Sequence, residues 1–595
     1  MTLAGKTALA VAIMAAGVLA ISASYAAGRA GASGAGHGAA VAAFWLGEAV
    51  IFAAPAALAL GRRSPGEVHA GWLVVALATA TYLVKYFYSP SFFAFPDEFL
   101  HWRTLTTLLA THHLFGVNYA LPVGPGYPGI EVAASAIADL TGLGVFPAGL
   151  IVAGLAHLVF TTALYTLFRL VGGSSRIGLA AVIVYAANPH YQIFDSIFGY
   201  QTLALAFFAL ALLAMYKATR PGTSRPRVIT FWVLAAVFTA ATTVTHHITS
   251  YVLIGTAVLI AAAGLLAAGK KGLTAPACFA AGAAALVALW TWRFTPGTVS
   301  YLSPAMSQLT DGIRSAVGGH TAATAASAAL PEPAGDKIAS YAVALLIMAL
   351  IPFGWRQVWR TQRRDPWALA LAAGAAAYYP CVALPFVTAD GSELAGRLLT
   401  FVYIPVGYTI AVALAARPLT ALRRVCAAGA TVILVAGGIS MGWPPWWERL
   451  PGSYVVDGFE SGITGESVAA ANWAAVALPP GQRIAADYIN NLLFGTIGNQ
   501  NPVNGVSVLY CSPDWTLTDA VFSRQQAINY LVVDLRTSEY RAPDGTIFQE
   551  ANGCSAPLAR ANLAKFDAVP GMTRVYDSGN IIVYRLSEAT YAYAP

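Results

Sequence analysis

Pro96-Asp97-Glu98-Phe99-Leu100-His101-Trp102-Arg103 follows an apolar run at 70–88 that carries one charge, Lys85. A run of that length and composition can cross most of the ~30 Å hydrocarbon layer as a helix. The acidic pair then stands where a membrane helix meets water. How this stretch is read decides the fold. If 70–88 spans a bilayer, the remaining apolar runs must span it too, and the chain is polytopic.

Composition supports that reading. Of 595 residues, 57% are hydrophobic and 10% are charged, against roughly 25% charged in soluble domains. Thirteen apolar segments recur near 5–26, 38–60, 70–88, 146–168, 177–190, 197–216, 228–245, 249–268, 273–292, 339–354, 366–386, 398–415 and 425–443. The run at 177–190 is the shortest. Met1 to Ala26 has some marks of a signal peptide, with Lys6, an apolar stretch and an Ala-rich end. Its length and the topology favour a first transmembrane helix. After residue 443 charges, Asn, Asp and Gly return, and no later segment is apolar enough to span. The chain divides into a helical membrane domain, 1–443, and a soluble domain, 444–595.

Charge tests the segment count. Residues 1–443 hold 25 Lys and Arg against 13 Asp and Glu, while residues 444–595 hold 9 against 14. The basic excess belongs to membrane loops and is no argument for nucleic acid. Arg62-Arg63, Arg169 with Arg176, the Lys217/Arg220/Arg225/Arg227 group, Lys270-Lys271, the Arg356/Arg360/Arg363/Arg364 group and Arg417/Arg423/Arg424 fall in alternate loops. The other loops hold most of the acids. Cationic loops mark the cytoplasmic face, so thirteen spans with a cytoplasmic N-terminus satisfy every short loop. The Asp97-Glu98 loop, His246-His247, the Asp390/Glu393 loop and the soluble domain then face outward.

The outer loop 89–145 is too long for a plain connector. It reads as two short helices, 97–113 and 130–141, broken by Gly and Pro between Gly116 and Gly129. Such helices can lie in the interface plane. A second long outer loop, 293–337, is rich in Ala, Ser, Thr and Pro, and is a candidate to order over a bound substrate. Trp443-Pro444-Pro445-Trp446-Trp447 suits an interface. Beyond it, Tyr530–Asp534 and Ile581–Arg585 read as strands and Ile484–Leu493 as a helix, which makes a small α/β domain. Cys511 and Cys554 are placed to form a disulfide if that domain meets an oxidising compartment. Cys278, Cys381 and Cys426 read as packed small hydrophobes.

Several polar groups gather at the outer ends of the spans. A carboxylate such as Asp97 or Glu98 can take a proton from a hydroxyl or bind a divalent cation, although acids also favour helix N-termini for electrostatic reasons alone. His101 and Arg103 follow on the same segment and count with the substrate-binding groups. His246-His247 join two apolar runs at the mouth of the bundle. They suit hydrogen bonding to phosphate or sugar, or simple satisfaction at the interface. His112-His113 is a weaker pair. Arg397 is a cation on the cation-poor side, and a guanidinium meets phosphate in two-point fashion. Its competing use is an ion pair with Glu393, four residues earlier. Lys85 either binds phosphate or snorkels. Asp195 is a candidate acceptor or metal ligand, or a helix cap. Glu48 reads as packed, and Tyr127-Pro128-Gly129 as a turn.

With its many spans, an Asp97-Glu98 outer loop bearing short interfacial helices, and an extracytoplasmic C-terminal domain, the chain resembles the GT-C-fold glycosyltransferases. These use polyprenyl-phosphate sugars and include protein O-mannosyltransferases and bacterial lipid-sugar transferases. The resemblance implies an α-helical polytopic enzyme of the plasma membrane. It would be inverting, and would move a hexosyl or pentosyl group from a polyprenyl-phosphate donor to an extracytoplasmic glycan, lipid or protein. It implies a catalytic or metal-binding role for Asp97 and Glu98, and a place at the lipid phosphate for Arg397 and Lys85. The residues themselves add His246, His247, Glu393, His101 and Arg103 as substrate-binding groups, and Asp195 as a further ligand for a divalent cation, Mg2+ or Mn2+. The family usually carries its acidic motif in the first outer loop. Here it is in the second, as two additional N-terminal spans would require. The alternatives are a lipid-linked glycan polymerase or ligase, and a multi-pass transporter, although no internal repeat of the transporter kind is visible.

Overall fold

The computed structural model describes residues 2–61, 65–317, 329–386, 391–415, 420–548, 554 and 557–592, with the side chain of Glu393 outside the description. Asp390, Arg62, Arg63 and Arg417, named above, lie outside the described residues. The membrane part contains α1 (Leu3–Arg29), α2 (Gly34–Ala59), α3 (Glu67–Tyr88), α4 (Pro96–Thr111), α5 (Gly129–Thr141), α6 (Val145–Gly172), α7 (Ser175–Ala186), α8 (Tyr200–Thr219) and α9 (Arg225–Thr245). It continues with α10 (His247–Ala268), α11 (Lys270–Phe294), α12 (Thr298–Val317), α13 (Ala334–Gln362), α14 (Pro366–Gly374), α15 (Tyr378–Ala383), α16 (Gly391–Ala415) and α17 (Ala421–Met441).

Among the described residues, twelve helices are long and apolar enough to cross a membrane, with α14 and α15 joined into one span, Pro366–Phe386. The run read at 177–190 gives only α7, of 12 residues. At 1.5 Å per residue this is about 18 Å, short of the hydrocarbon thickness. α7 is buried within the bundle and runs on into a buried connection, 187–199. The helix stops because Pro189 disfavours helical backbone at Asn188.

The bundle packs through small residues, as bilayer helices do where no hydrophobic drive pulls them together. A Cβ on Gly17 would lie 2.7 Å from the Gly47 carbonyl oxygen, so α1 and α2 meet backbone to backbone. α10 and α11 meet in the same way at Gly264 and Gly272. Successive spans alternate in direction. One end of the bundle carries the cationic contacts: Arg169 with Glu67 at 2.7 Å, Arg220 with Asp365 at 3.0 Å, and Arg176 donating to the Gly61 carbonyl. The other end carries α4, α5, the α9–α10 junction and everything after α17.

The two short helices expected in the loop 89–145 form. α4 starts with Pro96 at a position that needs no N–H, and Glu98 reaches back to the Phe95 N–H. It ends where His112 turns left-handed. α5 ends at Gly142, at φ 73°. A single extended residue, His246, breaks α9 from α10.

The C-terminal part contains α18 (Gly465–Ala477), β1 (Arg483–Ala485), α19 (Tyr488–Thr496), β2 (Asn501–Pro502), β3 (Tyr530–Asp534), β4 (Thr573–Asp577) and β5 (Ile581–Arg585). The sheet order is β2-β1-β3-β5-β4. β1 pairs parallel with β2 and β3, and β5 pairs antiparallel with β3 and β4. Alternate residues serve opposite faces. Tyr530, Val532, Ile581 and Val583 share a core with α18, α19 and the α4–α5 loop, whereas Leu531, Val533, Ile582 and Tyr584 pack with Trp515 and Phe566. The first core is therefore continuous with Phe99, Leu105, Leu121 and Ile130 of the outer loop.

Cys511 and Cys554 are joined across 43 residues of sequence. Replacing both by Ser should cost about 2–4 kcal/mol of stability. Thermal unfolding of the full chain in detergent should then begin with the C-terminal domain at a lower temperature. A transition identical to that of the oxidised parent would contradict this.

Candidate active site

The acidic pair divides. Side chains adjacent on a helix project about 100° apart, and here that separates two environments. Glu98 is fully buried and has no free oxygen. Oε1 accepts from the Lys85 ammonium and from the Phe198 N–H at 3.1 Å, and Oε2 from the N–H groups of Ala94 and Phe95 at 3.1 and 3.3 Å. Glu98 and Lys85 were both expected at the substrate, and here they are each other's partners. Asp97 is half-exposed and, among the described residues, makes no hydrogen bond or ion pair. Its carboxylate acts on the Tyr200 phenol.

Tyr200 is the hub of the site. As the first residue of α8, it stacks on His246 at 4.3 Å between centroids and meets the edge of His101 at 4.6 Å. Its backbone N–H donates to His101 Nε2 at 3.2 Å, which leaves the other ring nitrogen, Nδ1–H, to donate to the buried Glu131 carboxylate at 2.7 Å. The phenol hydrogen-bonds with Tyr301 of α12 and lies within electrostatic reach of Arg397. Neither Tyr200 nor Glu131 is among the site residues expected from the sequence. A usable signal was an aromatic directly after a glycine at a helix start on the acid-rich side.

His246 donates or accepts at Nδ1 with Thr249 at 2.8 Å. Burial first, then His247, Arg397 and His101, hold its imidazole well below the usual range, so it is neutral at physiological pH. Its Nε2 and both ring nitrogens of His247 are buried and, among the described residues, have no hydrogen-bond partner. Buried polar atoms normally find partners, so three unpaired nitrogens on one surface point to a group that arrives with the substrate. Tyr127 does more than make a turn. It is buried, lies 5.1 Å from the His247 ring, and pairs with Thr295 and Thr298 at 3.1 and 3.0 Å.

Arg397 lies at the outer end of α16 with its guanidinium carbon 5.4 Å from the Phe194 ring. It acts electrostatically on His190, Tyr200, His246 and His247. The structure thus brings together Asp97, His101, His246, His247 and Arg397. Arg103 is half-buried, and the charge that acts on it is that of Tyr119. His112 and His113 are exposed at the end of α4.

The carboxylates expected to share a cation do not converge. Asp195 accepts from Gln201 at 3.0 Å and from Thr400 at 3.2 Å, and burial pushes it up to about 7 against those bonds. Glu98 is saturated. Among the described residues no three His, Cys, Asp or Glu side chains gather to hold a metal, and no step below is routed through one.

An apolar cavity of about 240 Å³ opens lower in the bundle, lined by Val252, Gly255 and Leu259 of α10, Phe401 and Pro405 of α16, and Phe208 of α8. Phe401 is four residues, about 6 Å along the helix, below Arg397. The cavity and the polar site share α8, α10 and α16.

No protein-family model matches the sequence, and no curated protein matches it. Two solved structures are similar over most of their length. ArnT from Cupriavidus metallidurans bound to undecaprenyl phosphate is 13% identical with a TM-score of 0.49, covering 87% of this chain and 98% of that one. The same protein in the apo state is 14% identical, also at 0.49, covering 89% and 100%.

The buried pair can be tested directly. Lys85→Met or Glu98→Gln alone leaves an uncompensated group inside the bundle and should cost about 3–5 kcal/mol. The double replacement should recover much of that in thermal unfolding. Single variants as stable as the parent would remove the pair's structural role.

Proposed function

We propose that the protein is an inverting glycosyltransferase whose donor is a polyprenyl-phosphate sugar. The observation that carries this reading is the stacking of two environments along α10 and α16. A polar mouth of Asp97, Tyr200, His246, His247 and Arg397 shares α8, α10 and α16 with an apolar cavity whose lining begins about one turn further along α16. A lipid phosphate has that same layout. The chain would enter the cavity, the phosphate would meet Arg397, and the sugar would lie against the unpaired nitrogens of His246 and His247.

In the reaction, the acceptor hydroxyl oxygen attacks the anomeric carbon from the face opposite the phosphate. Asp97 takes the hydroxyl proton. The anomeric carbon–oxygen bond breaks and its electron pair stays on the phosphate, which leaves as polyprenyl phosphate. Arg397 meets the phosphate charge in the bound donor and in the departing polyprenyl phosphate alike, in a partly dehydrated site where such an interaction is stronger than in water, and so serves donor binding. Glu98 and Lys85 act by holding α4, and His101 with Glu131 by holding Tyr200.

We place this mouth and the C-terminal domain outside the cell. Cationic connections mark the other end of the bundle, and the Cys511–Cys554 bond suits an oxidising compartment. The N-terminus is then cytoplasmic. The acceptor is a hydroxyl-bearing glycan, lipid or protein on the outer side.

Asp97→Asn should lower saturating donor turnover by about 10²- to 10⁴-fold, the range of a lost general base, with purified protein in lipid and labelled polyprenyl-phosphate sugars. Arg397→Gln should instead raise the donor KM, by roughly 10- to 100-fold for a lost charge-assisted hydrogen bond. Unchanged donor cleavage by Asp97→Asn would defeat the base assignment. For orientation, a C-terminal tag should be cut by protease added to intact cells, and a protected tag would reverse the topology.

A further inference from the structure

The connection between α7 and α8 is unlike an ordinary loop. Residues 187–199 contain no long helix, yet all except Phe194 are buried. Loops usually run over the surface because buried backbone must find partners. This one runs through a seat lined with glycine. A Cβ on Gly438 or Gly442 of the α17 end would come within 2.0 Å of the Ala187 carbonyl oxygen or 2.2 Å of the Pro189 carbonyl oxygen. A Cβ on Gly396 would come within 2.5 Å of His190 Nε2. No side chain larger than hydrogen fits at these positions unless the loop moves.

The same loop then matches the start of α16 residue by residue. Asn188 reaches the Leu399 carbonyl at 3.5 Å, and the His190 ring rests on Gly396. The Phe194 ring lies beneath the Arg397 guanidinium and meets the His190 ring edge-on at 5.0 Å. The Asp195 carboxylate accepts from Thr400. Four loop residues thus engage the five-residue stretch 396–400, which contains Arg397. Asp195 also accepts from Gln201, the neighbour of Tyr200, which ties the loop to the other wall of the site.

We propose that the buried 187–199 connection is a positioning clamp for Arg397, and that His190, Phe194, Asp195 and Thr400 set the affinity for the donor phosphate without touching the reacting atoms. The inference rests on the reading of Arg397 as the phosphate-binding group. An arginine side chain loses much rotamer freedom when it is fixed. A flat aromatic below it and a locked helix register beside it remove that cost before substrate arrives, which is preorganisation. Asp97 approaches from α4 and is held by different contacts, so the clamp acts on donor binding rather than on proton removal.

The test uses the full chain in lipid nanodiscs, with undecaprenyl phosphate as the binding probe and steady-state kinetics on a polyprenyl-phosphate sugar. Thr400→Val removes the bond to Asp195 and should weaken probe binding and raise the donor KM roughly tenfold, the scale of one hydrogen bond to a charged group. Turnover at saturating donor and the acceptor KM should hold. Thr400→Ser restores the hydroxyl and should restore donor affinity, which a general loss of packing would not allow. Gly396→Ala, which displaces His190, should give the same split. If Arg397→Gln weakens probe binding and Thr400→Val does not, the clamp is wrong and the phosphate reading stands. If Arg397→Gln itself binds the probe as the parent does, the phosphate reading falls. A fall in saturating turnover with donor KM unchanged in Thr400→Val would also overturn the clamp.

Discussion

A lysine and a glutamate withdrawn from water inside a helical bundle must satisfy each other, since an unpaired charge there is far costlier than the pair. Lys85 near the end of α3 and Glu98 in the first turn of α4 do so, and the remaining lone pairs of Glu98 are taken by three backbone N–H groups. One of those belongs to Phe198, directly before α8. A single carboxylate therefore fixes α3, the first turn of α4 and the approach to α8 relative to one another. The position of Asp97 over Tyr200 is a consequence. With Glu98 turned inward and bound on both oxygens, its neighbour on the helix is turned toward the mouth and stays available for chemistry.

The other side of the mouth is built from a break and a clamp. His246 alone is extended between two long helices, so α10 begins at the rim and presents His247 inward. Arg397 enters from α16 over Phe194. Both helices then descend past the apolar cavity. An ionic group at the end of such a helix and apolar walls one turn further along suit a molecule that is itself an ion on a hydrocarbon chain. Water need be excluded only at the narrow level where the two meet, where low polarisability strengthens every charge interaction.

Much of this was legible in the sequence, for identifiable reasons. Hydropathy found the spans because the bilayer punishes any unpaired backbone. Alternating cationic loops ordered them, since an error in the count would have put Arg220 and Arg397 on one side. The α4 and α5 helices were marked by Pro96 and by the glycines that end them. What the sequence hid was direction and partnership. Nothing local says that Glu98 turns in and Asp97 out, because their residue types and neighbours are alike. The pairing of His101 with Glu131 spans 30 residues, and that of Asp195 with Thr400 spans 205. The run at 177–190 read as a span because it is apolar, but its last four residues, 187–190, belong to a buried loop whose partners include glycines on helices more than two hundred residues later. Periodicity reports which face is apolar and is silent on what that face will meet.

The C-terminal domain shows how the outer loop gains its rigidity. Taken alone, the amphipathic α4 and α5 could slide in the interface plane. Their inward faces instead join Ala470, Ala474, Leu493, Val532 and Val583 in one continuous core. Gly495 of α19 comes so close that a Cβ there would lie 3.1 Å from the Ala120 side chain, and a Cβ on Gly481 would meet the Tyr119 hydroxyl at 2.6 Å. The loop that carries Asp97 is thus held from below by Glu98 and Lys85 and from above by a folded sheet. On the proposed reading of Asp97 as the base, displacing it by a fraction of its reach would cost proton transfer heavily, since such transfers depend steeply on distance. A domain to which that reading assigns no catalytic group then still governs the rate, because it restrains the loop that carries the base.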